Sequence, residues 1–327
     1  MAVAEVAGRR RHPSVRSSGR DGRPSRGPAR CDGPCRAADR RWAMIPPPDP
    51  VDRAGEGGDV DEDLMGRLIR FADLTAWPAF AAFGVQEESI DRLLATTAGL
   101  DPSAVAGVRA GLAGRVRAAA RALRTEPPVA DGLHRMALRP GERIVVVGDS
   151  LSADRLSWAR LFAELIPMVE PEASVEVLAL SGRTSSEALA LGPVLVSRVP
   201  TRVLVMLGTN DIRREGATTG IRMVSISETA RNLRALRLLL ETESGARVRF
   251  VVPPPVDPGR VAATRELTGE WWDPADVPGL VATVREVDPD AIDLSRMPIR
   301  PDFWEDDGLH PSPIGQVAIL RAVLARI

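Results

Sequence analysis

Lysine and tyrosine are absent from this chain, and histidine and cysteine are scarce. Its 327 residues hold three histidines (His12, His134 and His310) and two cysteines (Cys31 and Cys35), so all 43 basic residues are arginine. Two neighbouring cysteines make neither a disulfide framework nor a full set of metal ligands, and no metal or organic cofactor is expected. No run approaches 18 apolar residues, which excludes an apolar membrane-spanning helix. Arg9–Arg11 are not followed by an apolar stretch, so a secretory signal is not expected and the expected location is cytoplasmic. The net charge of −1 supplies no overall basic field for nucleic acid. No Walker motif or G-x-G-x-x-G opens a helix, which disfavours nucleotide chemistry. G-x-S-x-G is missing too, so a serine nucleophile here need not sit on the strained elbow of α/β-hydrolases.

The remainder is ordinary globular material, 44% hydrophobic and 27% charged. Three segments differ in texture. Residues 1–62 are rich in Arg, Pro, Gly, Ser and Asp, bury too little to offset their ordering entropy, and are expected to be disordered. Their first 43 residues carry eleven arginines against four acids. That is either a solvated tail (or sequence upstream of a start at Met44) or an arm for nucleic acid or a membrane surface. The solvated tail is favoured, because basic tracts are common and unspecific. Residues 63–138 have helical periodicity in "DLMGRLIRFADL", "EESIDRLLATTAGL" and "DPSAVAGVRAGLAGRVRAAARAL". Asp101–Pro102 reads as an N-cap with proline at the first helical position, and Glu126-Pro127-Pro128 as a helix stop. This segment shows no chemistry of its own; it either packs on the domain after it or serves as an interaction module.

Residues 139–327 alternate short β-branched runs with helical stretches. The strands are 143–148, 175–180, 202–208, 247–253 and 291–295. The helices are about 152–166, 184–199, 227–242, 276–287 and 313 to the end. Near-continuous apolar strands between helices mean a parallel sheet covered on both faces. The expected fold is α/β, with a flavodoxin-like, doubly wound, five-stranded parallel sheet whose ligands sit at the strands' carboxyl ends.

Four fragments fall at that edge: "GDSLS" after the first strand, "SGRTS" after the second, "GTND" after the third, and "DDGLHPS" before the last helix. Each alone is an ordinary turn. Together they hold the parts of one reaction, acyl transfer. Ser150 is the candidate nucleophile, His310 its base, and Asp307 the group that fixes the imidazole tautomer. Donors for the oxyanion are the Ser150 amide, the Gly182 amide and the Asn210 side chain. In order and interval these blocks resemble those of the SGNH (GDSL) hydrolase family, over about residues 143–327. The resemblance implies a Ser150-His310-Asp307 triad, an oxyanion hole of Ser150, Gly182 and Asn210, and a flavodoxin-like sheet.

The tetrapeptide DGLH also occurs at Asp131–His134. That copy precedes the first strand, so it should lie at the amino edge, roughly 17–20 Å from the serine. Eight residues separate His134 from Arg143 and can span about 26–29 Å, so reach alone does not exclude it. The expectation is a linker for the first copy and catalysis for the second.

For substrate, the expectation is a small or lipid-like carboxylic ester, with carbohydrate O-deacetylation as the nearest competitor. Arg213, with Arg214 and Arg222 in the loop 212–226, is a candidate for an anionic head group or an ordinary solvated loop. Trp271 and Trp272, in an insertion over 266–279, either line the substrate site or anchor their loop. Trp304 is a candidate wall of the site. A reading of another class makes the chain a non-catalytic binding or scaffold protein acting through its helical segment; the complete set of catalytic parts weighs against it.

Overall fold

The computed structural model describes residues 62–71, 73–216 and 218–327. All but the last residue of the expected tail 1–62 lies outside them. Five helices come first: α1 (Glu62–Phe71), α2 (Pro78–Phe83), α3 (Glu87–Ala98), α4 (Pro102–Leu123) and α5 (Pro127–Arg135). Asp101 caps α4 as its sequence suggests, accepting from the Ser103 amide at 2.7 Å, with Pro102 at the first position. Pro127 differs from the expectation. It opens α5 rather than ending helical structure, because a missing N–H costs nothing in a helix's first turn. The first DGLH is therefore a helical turn, not a linker.

The strands are β1 (Arg143–Gly148), β2 (Ser174–Ala179), β3 (Arg202–Met206), β4 (Arg213–Glu215), β5 (Ile221–Arg222), β6 (Arg247–Val252), β7 (Glu270–Trp272) and β8 (Ile292–Asp293). Five form a wholly parallel sheet in the order β2-β1-β3-β6-β8. This is the flavodoxin-like order, and its direction reverses between β1 and β3. Between and after the strands lie α6 (Ser150–Ala153), α7 (Trp158–Val169), α8 (Ser185–Ala190), α9 (Gly192–Ser197), α10 (Ile226–Ser244), α11 (Pro258–Thr268), α12 (Val277–Val287) and α13 (Pro313–Leu324).

The pleat divides each strand's side chains between two cores. Ile144, Val146, Leu204 and Met206 face one side, with Leu161, Phe162 and Leu165 of α7 and Ile319, Leu320 and Val323 of α13. Val145, Val147, Val203, Val205 and Phe250 face the other, with Leu233, Leu236 and Leu240 of α10 and Leu280 and Val284 of α12. Helices α4 and α5 join the first core, where Val105, Leu112 and Val116 of α4 and Val129 and Leu133 of α5 belong to the same buried cluster, whereas Ala81 of α2 belongs to the second. α4 and α5 form a third layer outside α7 and α13. Among the described residues, no helix is long and apolar enough to cross a membrane.

Two expectations are corrected. The loops expected over 212–226 and 266–279 contain a second, antiparallel sheet in the order β5-β4-β7. Its strands are two or three residues long and rich in Arg and Glu, so no apolar alternation marks them. The helices expected over about 152–166 and 184–199 are each two, α6 with α7 and α8 with α9. Ser157 starts α7 by accepting from the Arg160 amide at 3.3 Å.

Candidate active site

β1 runs out at Gly148 and the chain turns at once into α6. Asp149 is its N-cap, accepting from the Leu151 amide at 3.0 Å, and Ser150 is its first residue. A serine there follows the end of a central strand at the point where the sheet order reverses. Ser150 is 7% exposed, whereas Ser152 is fully buried and its Oγ accepts from the Trp158 indole at 3.2 Å. Gln316 of α13 donates to the Leu151 carbonyl at 3.3 Å and accepts from the Trp158 amide at 2.9 Å, so the last helix holds the serine turn.

The loop before α13 carries His310 and Asp307. Asp307 Oδ2 lies 2.6 Å from His310 Nδ1, while Oδ1 accepts from the Leu309 and His310 amides, both at 2.8 Å. The three-residue spacing explains the pairing: a carboxylate that folds back on the amides two and three residues ahead is already beside the fourth side chain. Burial alone would raise the Asp307 carboxyl. The His310 hydrogen bond and charge, with the two amides, outweigh it and hold the carboxyl below the usual carboxylate range.

Asn210 follows β3. Its Nδ2 donates to the Arg183 carbonyl at 3.2 Å, which places it beside Gly182 and leaves its second N–H for another acceptor. Asp211 anchors the loop from below, accepting from the Ser185 amide and the Thr229 hydroxyl at 2.9 Å each. Burial raises the Asp211 carboxyl despite these bonds.

The other candidates have defined places. Trp272 is buried and its indole donates to the Thr209 carbonyl at 2.8 Å, so it supports the residue before Asn210. Trp271 lies 5.3 Å from the Arg214 guanidinium. Arg213 is within 3.1 Å of Glu215 and 3.3 Å of Glu270, and Arg214 and Arg222 both bind Asp276. Trp304 is buried edge-on to Phe303, with ring centroids 4.4 Å apart, and its carbonyl accepts from Arg260 at 3.1 Å. His134 sits on α5. That helix is followed at once by Met136, whose carbonyl accepts from Arg202 at the start of β3. The first DGLH is thus at the amino edge, across the sheet from Ser150.

A cleft of about 360 Å³ opens beside His310, lined by Arg67, Arg70, Phe71, Ser181, Asp306 and Asp307 among others. Arg70 and Phe71 were not singled out from the sequence; a charged and an aromatic residue at the end of an amphipathic helix carry no signature of a site.

Asp149 offers a test of the electrostatics. Burial pushes its carboxyl up to about 7, against the Leu151 amide and the His310 charge. The folded value lies above the unfolded one, near 3.8. The native state therefore keeps a proton that the unfolded chain has lost between those values, and this stabilisation disappears as pH rises through 7. Asp149→Asn keeps the cap acceptor and removes the titration. The Tm of wild type relative to this variant should fall as pH rises from about 4 to about 7 and level off above that, read by thermal melts. A constant difference would contradict it.

Comparison with known proteins places these elements in context. The model of the GDSL-like lipase/acylhydrolase family matches residues 146–318. An arylesterase of Vibrio mimicus is 28% identical over 196 residues, covering 57% of this chain and 88% of that protein. The lipase/acylhydrolase of Enterococcus faecalis is 22% identical with a TM-score of 0.46, covering 56% of this chain and 93% of that one. The extracellular lipase of Streptomyces rimosus is 15% identical with a TM-score of 0.33, covering 57% and 100%.

Proposed function

The chain belongs to the GDSL-like lipase/acylhydrolase family and is an ester hydrolase, and we propose that it works through an acyl intermediate on Ser150. The observation that carries this reading is the 2.6 Å His310–Asp307 pair in the loop at the same sheet edge as the start of α6. Ser150 Oγ attacks the ester carbonyl while His310 Nε2 takes its proton. Asp307 at Nδ1 holds the tautomer and stabilises the imidazolium. The oxyanion is received by the amides of Ser150 and Gly182 and the free N–H of Asn210. Collapse breaks the ester bond, and His310 returns the proton to the departing alcohol. Water, activated by the same imidazole, then releases the acid and regenerates Ser150.

The cleft beside His310, with the Phe71 ring in its wall, offers a place for a short acyl or aryl group of a small ester. The arylesterase among the relatives makes aryl esters the first substrates to try. The test is covalent: a fluorophosphonate should add to Ser150, seen as a mass adduct on its peptide, and block hydrolysis of p-nitrophenyl acetate. Inhibition with the adduct elsewhere would refute the assignment. Asn210→Ala should lower kcat by about 10²–10³ with little change in KM, because its hydrogen bond strengthens only as the oxyanion forms. A KM effect alone would place Asn210 in ground-state binding instead.

A further inference from the structure

We propose that the last turn of α1, Arg70 and Phe71, is a positioning element of the active site that holds the His310 imidazole in register with the Ser150 turn. The proposal rests on the catalytic reading of Ser150 and His310. It concerns residues that lie well before the matched segment 146–318.

Arg70 bonds to both halves of the machinery. Its Nε and Nη2 grip Asp154 at 2.8 and 2.7 Å, and its Nη1 binds Glu305 at 2.6 Å. Asp154 ends the serine's helix, its amide donating to the Ser150 carbonyl at 3.1 Å. Glu305 begins the histidine's loop, its amide donating to the His310 carbonyl at 2.8 Å. One guanidinium therefore spans elements that are otherwise about 150 residues apart in sequence. A forked, planar group suits such a bridge, because it fixes distance and angle where an ammonium fixes neither.

Phe71 acts on the imidazole itself. Its ring centroid is 4.8 Å from that of His310, tilted by 48°. Asp307 holds the ring's Nδ1 edge and the tilted Phe71 ring packs against the imidazole, so rotation away from the serine is opposed on two sides. The turn is docked rather than resting there. The carbonyls of Ile69, Arg70 and Phe71, which end a helix and need outside donors, accept from Arg155 Nε at 3.1 Å, the Arg155 amide at 3.0 Å and the Ser181 hydroxyl at 2.9 Å. Arg155 follows the serine's helix and Ser181 precedes Gly182. A single turn of α1 thus contacts the nucleophile block, the oxyanion block and the acid–base loop.

The experiment compares wild type with Phe71→Leu, Phe71→Tyr and Arg70→Lys in the full chain. Active sites are first titrated with the fluorophosphonate, and kcat for p-nitrophenyl acetate is then expressed per titrated site. Phe71→Leu and Arg70→Lys should each lose about 10- to 100-fold in kcat with KM within about threefold, the scale on which small misplacement of a reacting group acts. Phe71→Tyr, which keeps the ring, should restore most of the rate. A structural role alone would lower the number of titrated sites and leave kcat per site unchanged, and that result, or kcat within twofold for both variants, overturns the proposal. If Phe71→Leu does not fold, Arg70→Lys, which keeps the charge and loses the fork, carries the same test. Wild type that takes no adduct at Ser150 refutes the underlying catalytic reading instead, and the positioning role falls with it.

Discussion

His310→Ala should lower kcat for p-nitrophenyl acetate by about four to six orders of magnitude, the scale seen when a triad member is removed, whereas His134→Ala should leave it within about threefold. The two histidines sit in the same tetrapeptide, so the pair is a controlled comparison. The glycines show why the copies differ. Gly132 lies inside α5, where a Cβ would come 2.7 Å from that of Leu324 in α13; it is glycine so that two helices can touch. Gly308 has φ +68° and its carbonyl accepts from the Asp257 amide at 2.7 Å; it is glycine so that a turn can form. Only in the turn does the aspartate fold back on the histidine. The pH profile of wild type gives a second reading. Asp307 is held below the usual carboxylate range and stays ionised well into acid, so protonation of this carboxylate should not be what ends activity on the acid side. Full activity in His310→Ala would remove the base from the mechanism.

Ser150→Ala should reduce turnover on the same scale as His310→Ala, and the double variant should be little worse than either, because nucleophile and base act as one unit. Ser152→Ala separates this from mere proximity. "GDSLS" offers two serines, and nothing in the five letters chooses between them on geometric grounds. The fold sets the two apart: the Ser152 hydroxyl is sealed in the core under Trp158, while Ser150 opens the helix at the strand end. Ser152→Ala is therefore expected to lower the Tm and to keep the kcat of the folded enzyme. Steady-state rates and melts on the three variants decide it. A catalytic loss at Ser152 equal to that at Ser150 would sink the assignment.

Much of the sheet was legible in the sequence. The β-branched runs that begin at Arg143, Arg202 and Arg247 are strands with those starting residues, since buried parallel strands read as unbroken apolar runs. Asp101–Pro102 opens its helix as written, because a cap needs only its own neighbours. Helix interruptions were less legible. Asp154–Ser157 breaks a run that periodicity alone would join, and the reason is tertiary: Asp154 is turned inward to meet Arg70, 84 residues away. The small antiparallel sheet escaped because Arg213–Glu215 is held by pairing with Glu270–Trp272, not by an apolar face of its own.

The sequence by itself determined the strands of the parallel sheet, the four blocks at the strand ends, and the local Asp307–His310 pairing, all of which depend on residues a few positions apart. Tertiary structure decided the surroundings of those blocks. It put the first DGLH on a helix at the far edge. It paired Arg213, Arg214 and Arg222 with carboxylates, and seated Trp272 under Thr209. It also brought Arg70 to Glu305 across 235 residues. Contacts at such separations arise from packing a third layer of helices on the sheet. That packing is driven by apolar burial spread over many residues, so no short stretch of sequence announces where a helix's last turn will come to rest.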